Sequence, residues 1–221
     1  MQVSDNTFDV LKNFSTINSG LLFTKGNVQR TVSPGKVVLA EAVIDDSVPD
    51  DFCIFDLNQL LSILSLHKTA PELEVNGNNI VVQGYDGRSK ITYRCCDASM
   101  IKTPPKNNIV LPSEDATFTL SEDDYAWIMR AAAVLNSPNI SITSRDGKLF
   151  VAACDVSDDS SHHDALEVGV HTGPAIDYTF KTENWKMLPG SYTVTLSPVA
   201  AHFHHQTRKI QYWVAIESKG N

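Results

Sequence analysis

The residues best suited to chemistry are the histidines. His162-His163 and His202-x-His204-His205 have spacings that could bring imidazoles to a metal. Neutral imidazole is a ligand for zinc or nickel, and in a strand His202 and His204 share a face. Neither group has a Cys or Glu at helical spacing to complete a set, so incidental surface histidines are the plainer reading. The acid pairs Asp45-Asp46, Asp50-Asp51 and Asp158-Asp159 could hold metals or share acid–base work. Each falls in a polar stretch that a solvated loop explains. Cys53, Cys95, Cys96 and Cys154 show no CxxC spacing and read as reduced thiols. No G-x-S-x-G, H-E-x-x-H, Walker loop or G-x-G-x-x-G occurs. The expectation is a protein with no catalytic residue, no metal and no cofactor.

What remains is a sparse set of bases. Lys12, Arg130 and Lys186 fall on or near helix faces turned away from the strands, and Lys68 follows a helix. By themselves they are more plainly read as an ordinary solvated helix face than as a nucleic-acid contact. The net charge of −8 argues against a surface coated with phosphate-binding bases. It leaves open a nucleic acid held along one locally basic lining, because only charges within about a Debye length of ~8–10 Å act on it. Trp127, close to Arg130, reads as core edge.

Phe8, Leu11, Phe14 and Ile17 form a three-spaced stripe on a first helix. Ser4 or Asp5 caps it, and Asp5, Asp9, Lys12, Asn13 and Thr16 face away. Strands follow at 21–24, 28–32 and 37–44, with an acidic loop at 45–51. A second helix over 56–66 buries Leu57, Leu60, Leu61 and Leu64 behind an uncharged face of Asn58, Gln59, Ser62 and Ser65. Lys or Glu is the ordinary solubilising choice there, so the uncharged face is either that of a mildly polar surface helix or the lining of a channel that must not grip. Strands at 72–75, 80–83 and 89–95 end the first half.

The second half repeats this order: a strand at 117–120, a helix over 121–135 and a hairpin turning at Arg145-Asp146-Gly147-Lys148. After it come a polar loop at 155–164, strands at 166–171 and 177–181, a short helix over 182–188, then a strand at 192–196, a His-rich segment and a strand at 210–216. The Pro-rich stretch between the halves reads as a linker. The predicted organisation is α+β: domain one over 1–102, linker 103–112 and domain two over 113–221. No apolar run approaches the ~18 residues of a membrane span and no secretory leader is evident, so the protein is expected to stay in the compartment where it is made.

Leu11–Gly20, Ala40-Glu41-Ala42, Asp56-Leu57-Asn58, Ile63-Leu64-Ser65-Leu66 and Met187-x-Pro189-Gly190-x-Tyr192 carry a family resemblance. Together they resemble the DNA polymerase sliding clamp of T-even-type bacteriophages. The resemblance implies two copies of the DNA-clamp domain per chain and a homotrimeric ring, with helices lining the hole and antiparallel sheets outside. It further implies sequence-independent binding of double-stranded DNA, tethering of the viral DNA polymerase, an ATP-driven clamp loader and a coupling to late transcription through a sigma-like factor. The site of action is then the cytoplasm of the infected bacterial host. On this reading Lys12, Lys68, Arg130 and Lys186 are the DNA-binding residues. A partner-peptide pocket is assigned to Val32, Leu39, Ile109, Val110, Leu111, Trp213, Ala215 and Ile216. Ring closure is assigned to edge strands 89–95 and 166–171 of neighbouring subunits. The alternatives are a β-rich phage structural protein of tail or baseplate type, and a histidine-metal enzyme with a concave site joining His162 to His202.

Overall fold

The computed structural model describes residues 1–67, 71–84, 87–105, 107, 109–158 and 162–217. The chain divides into two compact units, Met1–Asn107 and Asn108–Asn221. In the first unit, helix α1 (Asp5–Ile17) is followed by β1 (Leu21–Phe23), β2 (Gly26–Val32), β3 (Val38–Val48) and β4 (Phe52–Ile54). Helix α2 (Leu57–Ser65) then leads into β5 (Glu72–Asn76), β6 (Asn79–Gln83) and β7 (Lys90–Arg94). Pairing is antiparallel: β1 with β4, β2 with β3, and β5–β6–β7 in order. Gln2 bridges Glu72, which makes the N-terminus a vestigial strand beside β5. Phe14, Phe23 and Ile54 are almost wholly buried, and Phe23 stacks on Phe52 at 4.5 Å between ring centroids.

The second unit runs β8 (Ala116–Leu120), α3 (Glu122–Leu135), β9 (Asn139–Arg145), β10 (Lys148–Cys154), β11 (Leu166–Val170) and β12 (Asp177–Lys181). It closes with β13 (Tyr192–Leu196), β14 (Ala200–His205) and β15 (Ile210–Ala215). Here β9 pairs β12, β10 pairs β11, β13–β14–β15 run in order and β8 pairs β13. These are the pairings of the first unit, with β8 in the place of the Gln2 bridge. The repeated order seen in the sequence is therefore a repeated topology. The β9–β10 hairpin turns on Asp146 (φ 51°) and Gly147 (φ 76°), the two left-handed positions that a type I′ turn requires.

Local chemistry explains where the elements depart from expectation. The buried stripe of α1 is Thr7, Val10, Leu11, Phe14 and Ile17; Phe8 is only half-buried, and Asn13 is buried. The true face thus follows the i, i+3, i+4, i+7 progression, one position off the three-residue ladder. Strand β3 runs on through Asp45 and Asp46 to Val48, where a solvated loop was expected. The reason is Asp46, whose Oδ2 accepts from the Ser4 N–H and the Ser4 hydroxyl, each at 2.8 Å. The Ser4 Oγ in turn accepts from the Thr7 N–H as the N-cap of α1. Asp46→Ala is expected to cost about 1–2 kcal/mol, read as a lower urea midpoint; a loss below about 0.5 kcal/mol would show that the brace is idle.

The region 182–188 is not a helix. Thr182–Asn184 make one 3-10 turn, and the chain then runs to Gly190 with neither helix nor strand. Length supplies the cause. Thr182 N–H donates to the Pro138 carbonyl and its hydroxyl to the Ser137 carbonyl, beside the C-terminal end of α3. Ser191 Oγ accepts from the Glu122 N–H at the other end. The link must therefore run the whole length of α3, about 20 Å for its 14 residues. Seven helical residues would cover about 10 Å, whereas an extended chain covers more than 3 Å per residue. The link between β4 and β5 spans 55–71, against 182–191 between β12 and β13, about two helical turns more.

Candidate nucleic-acid interface

In the first unit the two helices touch each other, and α1 also packs on β2 and β3, leaving a polar outer side. On α1 that side carries exposed Asp5, Asp9, Lys12 and Thr16. On α2 it carries exposed Asn58, Gln59, Ser62 and Ser65, while Leu57, Leu60, Leu61 and Leu64 are buried. The hydroxyls of Ser62 and Ser65 donate to the Asn58 and Leu61 carbonyls of their own helix, both at 2.8 Å. Asp56 caps α2, accepting from the Gln59 N–H at 3.0 Å. Lys68 lies outside the described residues.

In the second unit α3 buries Tyr125, Ile128 and Ala132, with Met129 and Leu135 only half-buried. Arg130 is exposed on the opposite face, its Nε donating to the Ala126 carbonyl at 3.2 Å. Trp127 is half-exposed, not core, and its indole N–H donates to Asp164 at 2.8 Å. Lys186 sits in the link between β12 and β13. It is half-buried, between buried Trp185 and Met187.

Four side chains hold that link in place. The Tyr125 hydroxyl donates to the Met187 carbonyl at 3.1 Å, and the Tyr192 hydroxyl donates to the Leu188 carbonyl. The Tyr212 hydroxyl accepts from the Leu188 N–H at 3.2 Å, and His205 Nε2 donates to the Pro189 carbonyl at 3.3 Å. Burial pushes the Tyr125 phenol up to about 12 and raises those of Tyr192 and Tyr212, so all three stay protonated. Nothing in the spacing of these residues announced the arrangement. The one available signal was Pro189-Gly190-x-Tyr192, a turn followed by a tyrosine with no obvious duty.

His205 is 4% exposed and its tautomer follows from its partners. Nδ1 accepts from the backbone N–H groups of Thr207 and Arg208, at 3.2 and 3.1 Å, so the proton is on Nε2. Burial lowers its pKa below the ordinary 6.5, and the Arg208 charge acts in the same direction, against the Pro189 carbonyl and Glu122. A histidine with a depressed folded pKa gives stability that is complete above the unfolded value and is lost as pH falls below it. The second unit should therefore melt at lower temperature at pH 5 than at pH 7, and His205→Gln should flatten that difference. An equal slope in the variant would place the pH sensitivity elsewhere.

The other histidines give no such cage. His202 and His204 share a face of β14, with ring centroids 6.3 Å apart, but His202 lies flat on Trp213 at 4.8 Å and its Nε2 is 2.8 Å from Gln211 Oε1. His162 and His163 are exposed. Among the described residues, no group of three or more His, Cys, Asp or Glu side chains is placed to hold a metal ion. Of the residues assigned to a peptide pocket, Val32 and Leu39 are buried, Ile109 and Leu111 half-buried, and Val110 83% exposed. Trp213, Ala215 and Ile216 are half-buried, and Trp213 and Ala215 sit on the β15 face opposite buried Tyr212 and Val214.

Helices over antiparallel strands in two topologically matching units define a DNA-clamp fold, and solved clamps superpose on it. Proliferating cellular nuclear antigen of Entamoeba histolytica matches with a TM-score of 0.69 at 13% identity, covering 96% of this chain and 95% of that one. An H. pylori beta clamp matches with a TM-score of 0.71 at 13% identity, covering 96% of this chain and 64% of its own. Residues 4–102 match the family model described as DNA polymerase processivity factor. The sliding clamp of Escherichia phage RB69 is 30% identical over 227 residues, covering 99% of this chain and 97% of the relative. That of Enterobacteria phage T4 is 31% identical over 201 residues, covering 89% and 87%. The chain belongs to the bacteriophage sliding clamps, which are DNA polymerase processivity factors and not enzymes.

Proposed function

We propose that three copies of this chain close into a ring around duplex DNA and tether the viral polymerase to its template in the cytoplasm of the infected bacterium. The observation that carries this reading is the character of the outer helix faces. Asn58, Gln59, Ser62 and Ser65 form an uncharged surface on α2, with Lys12 beside Asp5 and Asp9 on α1, Arg130 on α3 and Lys186 in the link. Lys68 is assigned to the same lining from the sequence. Such a surface attracts a phosphate backbone weakly and reads no base edges, so a duplex is held and still moves.

Ring closure is assigned to two free sheet edges. Strand β7 ends one sheet and exposes Lys90, Thr92 and Arg94; β11 ends another and exposes Glu167 and Val170. Pairing β7 of one subunit with β11 of the next is a heterologous contact that closes on itself and removes both edges. Leu66 and Val134, 70% and 79% exposed at the ends of α2 and α3, supply apolar contacts for the same closure.

Partner tails are assigned to Ile109, Val110 and Leu111 of the linker 103–112 and to Trp213, Ala215 and Ile216, together with Val32 and Leu39. There one or two anchors dominate binding. Trp213→Ala is expected to lower polymerase stimulation at least tenfold while leaving the ring intact, and Ile109→Ala to act in the same direction. Unchanged processivity in both variants would remove the pocket. A loader that opens the ring and a sigma-like late-transcription factor that docks on it rest on the family resemblance. The experiment for the whole reading is retention on DNA. The protein should remain on a closed circle and leave when the circle is cut; equal loss from cut and uncut circles refutes it.

A further inference from the structure

We infer that Tyr125, Tyr192, Tyr212 and His205 are positioning residues for DNA, because they fix the non-helical link that presents Lys186 in place of a second helix. The inference rests on the ring reading and on Lys186 facing the duplex. In the first unit a helix, α2, stands beside α1. In the second the equivalent link is too short for a helix to run alongside α3; after Lys186, whose N–H donates to the Asn184 carbonyl, the backbone groups of 187–189 have no helical partners. Side chains from α3, β13, β14 and β15 take over that duty.

The assignment of partners is specific. The carbonyls of Met187, Leu188 and Pro189 each receive a side-chain donor, from Tyr125, Tyr192 and His205, and the Leu188 N–H is taken by Tyr212. Trp185 anchors the start of the link, its ring stacked 6.4 Å from Tyr125 and edge-on to Phe203 at 5.3 Å. Lys186 is thereby held between two fixed points, Trp185 below and Met187 above. A lysine on a free loop would lose rotameric and backbone freedom on meeting a phosphate; this one has surrendered the backbone share already.

The test compares Tyr212→Phe and Tyr125→Phe with Lys186→Ala. Each Phe variant keeps the ring in the core and removes one hydroxyl. The readout is the slope of log K against log salt for a short labelled duplex, together with the melting temperature of the protein. Lys186→Ala should lower the slope by about 0.9 for each subunit that engages a phosphate. Tyr212→Phe and Tyr125→Phe should each weaken duplex binding several-fold at low salt, and adding either to Lys186→Ala should weaken it no further. Lys186→Arg should keep the slope. If the Phe variants weaken binding equally with and without Lys186, the clasp acts only on stability and the inference fails. An unchanged slope in Lys186→Ala also overturns it, yet leaves the ring reading to the circle experiment. Should both Phe variants melt too low to assay, hydrogen exchange at the Leu188 amide in the unsubstituted protein decides. Protection supports the clasp and exchange at the rate of an open chain overturns it.

Discussion

Gly190→Ala is expected to cost about 3–5 kcal/mol and to leave the second unit largely unfolded near physiological temperature. Two effects add. The backbone at Gly190 has φ +148°, a conformation that side-chain-bearing residues rarely adopt, and an added Cβ would lie 2.2 Å from His205 Nε2 and 2.6 Å from Cε1. The imidazole cannot turn aside, because Nδ1 is held by two backbone N–H groups and the ring meets Tyr192 edge-on at 4.9 Å. Urea unfolding followed by tryptophan emission reports it, since Trp185 lies in the same cluster. A loss below about 1 kcal/mol would mean that the link between β12 and β13 can be displaced as a whole.

The second large effect concerns ring closure. Replacing Lys90 and Arg94 together by glutamate turns a basic edge acidic, where the proposed facing edge carries Glu167. Like charges brought together across an interface cost several kcal/mol, so the variant should leave closed circular DNA at least tenfold faster and sediment as a smaller species. Its melting temperature as a subunit should change little, because both side chains are exposed. Undiminished retention on circles would mean that other edges close the ring.

How much of this could be read from the sequence follows from which interactions are local. The helix starts capped by Ser4, Asp56 and Ser121, the leucine stripe of α2 and the turn at Asp146-Gly147 depend on neighbours in the chain, and the helices, the stripe and the turn lie where the sequence places them. Asp46 looked like a solvated loop residue because its purpose is to hold a helix start 42 residues away. The stretch 182–188 has acceptable helical periodicity; only the distance it must cover, fixed by the ends of α3, forbids the helix. Lys12 and Arg130 could be placed on outer helix faces from periodicity alone, whereas the support behind Lys186 comes from four separate elements.

Ser62 and Ser65 have a mechanical consequence. Their hydroxyl protons already satisfy carbonyls of α2, so each presents only oxygen lone pairs to whatever lies over the helix. In the proposed ring these two oxygens would face phosphate oxygens, acceptor against acceptor, and would meet them through a film of water. Advancing by one nucleotide step would then break no direct bond at these two positions, and friction there would be that of a lubricated bearing, the same over any run of bases.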